Sequence, residues 1–155
     1  MKKKMILMLA LFITTTTSVM AQTIDDIINE FKGKPNVEYL DVPKAMMGLA
    51  AGSIKEETGA DLIKKIDSLR ILSIENNSQL KSLFEQRVKT LSKKGYEQMV
   101  NSNEDGEKAQ ILVKTKGKTV TEMLIISIED DECALVQICG EISPEDTQKL
   151  QNIGH

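Results

Sequence analysis

Beyond Gly95 the chain changes period, and the links between its apolar runs become too short for anything but a reversal. Residues 96–100, 108–114, 119–128 and 133–141 read as four strands. Between them stand NSNEDGE, TKGK and EDDE, stretches rich in Gly, Asn and Asp. Links of that length and composition join neighbouring antiparallel strands, so a four-strand meander is predicted.

The segment before Gly95 supplies helices and further strands. Thr23-Ile24-Asp25-Asp26 is an N-cap followed by acids in the first turn, where they suit the helix dipole. Ile24, Ile27, Ile28 and Phe31 then recur at helical spacing until Gly33 and Pro35 end the pattern. Residues 37–42 suit a short strand, and Pro43 opens a compact helix around Met46, Met47 and Leu49. Residues 52–65 are polar and fit a loop or partial helix. SLRILSI (68–74) reads as a strand. Residues 77–94 read as the longest helix, with Leu80, Leu83, Phe84, Val88 and Leu91 inward. Ser143-Pro144-Glu145-Asp146 starts a final helix. The fold expected is α+β: a mainly antiparallel sheet with helices packed on one face, in a single domain over residues 22–155.

The N-terminus reads as an address. Lys2, Lys3 and Lys4 precede an apolar run from Met5 to Ile13, then small residues ending in Val19-Met20-Ala21. This is the pattern of a secretory signal peptide over residues 1–21, cut between Ala21 and Gln22. The run is shorter than the roughly 20 residues a membrane span needs. A periplasmic or secreted protein is therefore expected, with no membrane span. The signal holds three of the chain's 20 basic residues and none of its 23 acidic ones, leaving a net charge of −6. Acids and bases are interspersed and only Arg70 and Arg87 remain as arginines, so nucleic acid is not an expected partner.

Several stretches carry the residue types of chemistry. Asn101, Asn103, Asp105 and Gly106 match the start of a calcium loop. Position one of that pattern wants Asp, however, and the bidentate Glu of position twelve is Leu112 here, so a polar hairpin turn is the expected reading. Glu129-Asp130-Asp131-Glu132 reads as a solvated turn that guards apolar strands. The sole histidine is His155, which leaves no Cys–His or Ser–His arrangement and no zinc set. A carboxylate pair such as Glu38 with Asp41 is what a small hydrolase would need. Cys133 and Cys139 are too far apart along one strand to bridge and read as buried free thiols. No cofactor motif appears.

The order of these parts resembles a known family. VEYLDVPKAMM, KIDSLRILSIEN, GYEQMV with its polar turn, and MLIISIEDDECALVQICGEI are similar to stretches of the domain of unknown function 4252 family, small envelope proteins of Bacteroidetes. The resemblance spans about residues 31–142. It implies fold and compartment rather than chemistry. Many members look like lipoproteins, whereas this chain lacks the lipid-accepting cysteine. Asp67-Ser68-Leu69 is similar to the acceptor used for periplasmic O-glycosylation in that group, which nominates Ser68.

The functional expectation rests on the last two strands. Leu124, Ile126 and Ile128 share one face while Met123 and Ile125 take the other; Val136 and Ile138 oppose Cys133, Leu135 and Cys139. Both faces want cover, and helices 24–31 and 77–94 can serve only one. An interaction face carrying Met123, Ile125, Cys133 and Leu135 is expected, with a protein partner or a homodimer across it. The chain reads as a non-catalytic envelope binding or sensing module, the carboxylate hydrolase being the alternative.

Overall fold

The computed structural model describes residues 22–53, 57–146 and 148. The elements run α1 (Ile24–Phe31), β1 (Val37–Pro43), α2 (Lys44–Ser53), α3 (Glu57–Lys64), β2 (Ile66–Glu75), α4 (Ser78–Lys89), β3 (Glu97–Glu104), β4 (Glu107–Lys116), β5 (Thr119–Ile128) and β6 (Glu132–Ile142). The strands form one six-stranded sheet in the order β1-β2-β6-β5-β4-β3, with every neighbouring pair antiparallel. This is an α+β architecture.

Local chemistry sets the helix starts. Thr23 and Asp26 form a capping box: Thr23 Oγ1 accepts from Asp26 N at 3.2 Å, and Asp26 Oδ2 accepts from Thr23 N at 3.0 Å. Asn77 caps α4 by accepting from Leu80 N. Helix α4 stops at Lys89, short of the expected residue 94. The backbone at Leu91 is diverted into a parallel bridge with Gln22, where Gln22 N donates to Thr90 O and Ser92 N to Gln22 O. Gly95 accordingly sits in the turn into β3 rather than at a helix end.

One apolar cluster holds the sheet to its helices. Ile24, Ile27, Ile28 and Phe31 of α1 and Phe84 and Val88 of α4 pack on Leu72, Leu112, Leu124, Ile126 and Leu135. Phe31 and Phe84 meet edge-on with centroids 5.7 Å apart. Arg87 grips Glu30 through two bonds of 2.7 and 2.9 Å, tying α4 to α1 beside that contact. Met47, Ala51, Leu62, Val113 and Ile142 are buried outside this cluster. Helices α2 and α3 pack on each other and on β1 and β2, where the chain leaves and re-enters the sheet. There Gly140 has no room for a side chain, since a Cβ would run into the Lys65 carbonyl oxygen and the backbone of Ile66.

The signal-peptide reading of residues 1–21, the terminal His155 and most of the expected last helix lie outside the described residues. The start of that helix is described, and it is tethered. Ser143 and Asp146 cap each other, and Lys65 Nζ lies 2.6 and 2.7 Å from the two Asp146 carboxylate oxygens.

Candidate interaction surface

Strands that alternate between two environments reveal their faces by burial. On β2, β5 and β6 the residues Leu72, Leu124 and Leu135 are at most 1% exposed, sealed under α1 and α4. Their neighbours Ile71, Ile125 and Val136 point the other way and each keep part of their surface in solvent. The same strands therefore have one sealed side and one unsealed side.

Register turns the unsealed residues into rows that cross the sheet. Leu40, Ile71, Val136, Ile125, Ile111 and Val100 are consecutive partners, one from each strand. Beside them runs Val42, Leu69, Ile138, Met123 and Val113. Val113 alone of the two rows is fully buried. On the opposite flank the side chains shrink: Ser73, Ala134, Ser127, Ala109 and Ser102 form a row of small residues. Beyond it the strand ends carry Glu75, Glu132, Glu129, Glu107 and Glu104, all exposed. Ser73 Oγ donates to Glu132 at 3.2 Å, linking the small row to this acidic rim.

This geometry corrects the expected interaction face. Met123 and Ile125 do lie on the unsealed side, but Cys133 and Leu135 do not. Ile126 pairs with Leu135 and Ile128 with Cys133, which puts both inside the helix-covered core at 1% exposure. Burial also pushes the Cys133 thiol up to about 11, as expected of an inert core thiol. Val136 and Ile138 take their place on the open side. Both cysteines are free.

The calcium-like stretch is not a loop. Asn101 and Asn103 belong to β3, paired with Gln110 and Lys108, and the reversal uses only Asp105 and Gly106. Their φ values of 52° and 81° are those of a two-residue type I′ hairpin. An extended strand spreads alternate residues about 6.6 Å apart and cannot wrap a cation. Ser68 is likewise placed in a strand, paired to Pro43 on one side and Cys139 on the other. Its hydroxyl shares a hydrogen bond with the Cys139 thiol.

The expected carboxylate pair, Glu38 with Asp41, is not brought together. Glu38 pairs with Ser73 and Asp41 with Arg70, so the two lie on opposite faces of β1. The carboxyls the fold does shift are made stronger acids: Asp26 by hydrogen bonds from Thr23, Glu30 by Arg87, and Asp146 to about 2 by Lys65. General acids need the opposite shift.

One polar constellation was not anticipated. At the core's open end Arg70 Nε donates to Gln137 Oε1 at 2.6 Å, and Gln137 Nε2 donates to Glu122 Oε1 at 2.7 Å. Tyr96 OH donates to the same Glu122 oxygen at 2.6 Å, and Asp25 pairs with Arg70 at 2.7 Å. Lys114 lies 4.3 Å over the Tyr96 ring. Burial and the bond to Glu122 push the Tyr96 hydroxyl well above its usual range. These groups line a cleft of about 260 Å³ and satisfy one another, which suits a polar plug closing the core.

Among the described residues no helix is long and apolar enough to cross a membrane. No curated protein matches the chain. The model of the family described as Domain of unknown function (DUF4252) matches residues 31–150, from the last residue of α1 past the end of β6. The chain belongs to the DUF4252 family.

Proposed function

We infer that this chain is an exported, non-catalytic binding module that engages another protein through the unsealed side of its sheet. In this reading the last four strands are a meander, α1 and α4 pack on one face, and the other face is left to a partner. One observation carries it: a row of six aliphatic side chains, one per strand, that stays partly in solvent while Leu72, Leu135, Leu124 and Leu112, their chain neighbours on the four inner strands, are sealed. In this reading the stripe is the interaction site, since the largest apolar patch on a domain's surface is often a functional one. Export follows from the N-terminal address, with the mature chain starting at Gln22 in the periplasm or outside the cell.

Two measurements test these parts separately. Mass spectrometry of the protein from its own cells should find Gln22 first; an intact Met1 would contradict export. Photocrosslinking in those cells, with the reactive residue at position 71 or 125, should give adducts of discrete mass. The same group at position 81, which lies on α4 on the other side of the sheet, should not. Equal labelling from both sides, or none from the sheet, would remove the basis for a binding face.

A further inference from the structure

The shape and charge of the open side define what fits it. Six strands about 4.8 Å apart span about 24 Å between the outermost two. The two aliphatic rows are about 7 Å apart, so a stripe that gives each row a width of about 7 Å covers roughly 300 Å². A stable interface between two folded domains takes about 800 Å² per partner. A stripe about 24 Å long and one helix wide instead matches about 16 residues of α-helix, at 1.5 Å per residue and about 10 Å in diameter.

The neighbouring rows agree with such an occupant. Ser73, Ala134, Ser127 and Ala109 lower the surface beside Ile71, Val136, Ile125 and Ile111, giving a step against which a cylinder can settle. Past that step, about 13 Å from the first aliphatic row, stand the five rim glutamates. A lysine or arginine on the flank of a seated helix reaches that rim, while its apolar side rests on the stripe. The same rim repels an anionic lipid surface.

We propose that the open side takes a basic amphipathic α-helix of about 16 residues from a partner protein, laid across the strands with its apolar face on the Leu40–Val100 row and its cationic flank along the glutamate rim. The inference rests on the reading of this side as a protein-binding face and adds the partner's chemistry. Helix-in-groove recognition supplies affinity through the apolar side, and the charged flank sets which way round the helix lies.

Two synthetic amphipathic peptides of 18 residues serve as probes, sharing one leucine face and carrying either lysine or glutamate on both flanks. Methyl NMR of the mature chain at low salt reads both site and affinity. The lysine peptide should move the methyl signals of Ile71, Ile125 and Val136, leave those of Leu72 and Leu135 in place, and bind at least tenfold tighter than the glutamate peptide. The variant carrying Glu107→Lys and Glu132→Lys, both exposed and so tolerated by the fold, should lose or invert that preference. Equal affinity for the two peptides, or no methyl shift at millimolar concentration, would overturn the proposal. So would a chain already dimeric through this face by sedimentation. Crosslinking at position 71 together with failure of both peptides would remove the helical partner and leave the binding face standing.

Discussion

Adjacent residues of β6 live in different solvents, and that contrast is measurable. Leu135 packs in the cluster with Leu72 and Leu124, so Leu135→Ala should cost about 2–5 kcal/mol in urea unfolding. Val136 faces the unsealed side, and Val136→Ala should cost less than about 1.5 kcal/mol. Equal costs would mean the register is wrong. Asp146 is the clearest titrating residue, held at about 2 by Lys65 and Ser143. Its pKa is depressed below the ordinary value near 3.9. The stability it contributes is therefore complete above about pH 4 and is lost as pH falls through about 2. An NMR titration should place its midpoint near 2, and Asp146→Asn should flatten the acid limb of stability against pH in that window. A midpoint near 4 would mean that Lys65 does not hold it.

At the scale of elements, the sequence showed all six strands because alternation and turn residues are local signals. It misjudged which side of β6 meets the helices. Both faces of β5 and β6 are apolar, and a one-residue change of register exchanges them, so periodicity alone cannot pair Leu135 with Ile126 rather than with Ile125. The length of α4 was overestimated because Leu91 continues the apolar pattern while its backbone pairs with Gln22. The turn at Asp105–Gly106 was legible as a reversal, but the strand's reach through Asn103 was hidden by polar residues that an edge strand tolerates. Two glycines test the backbone here. Gly106→Ala, at φ 81°, should destabilise by about 1–2 kcal/mol. Gly140→Ala should cost about 1–3 kcal/mol because Lys65 and Ile66 leave no space. Gly48, inside α2 with open space around it, is the control: Gly48→Ala should stabilise by about 0.5–1 kcal/mol. A neutral Gly140→Ala would mean that the start of β2 is not pressed against β6.

For the whole molecule, the sequence conveyed that two apolar faces had too few helices, but not where the excess surface lay or what bordered it. The acidic rim was invisible because its glutamates come from distant positions, 75, 104, 107, 129 and 132, and only the strand order assembles them. The polar plug of Arg70, Gln137, Glu122 and Tyr96 was hidden for the same reason. The account depends on one side of the sheet being sealed and the other open in the free chain. Methyl NMR with a soluble gadolinium chelate tests this directly. Signals of Ile71, Ile125 and Val136 should broaden strongly with added chelate, while those of Leu72, Leu124 and Leu135 should stay sharp. Equal protection of both sets would mean that the second side is covered in the free chain, and would contradict the account.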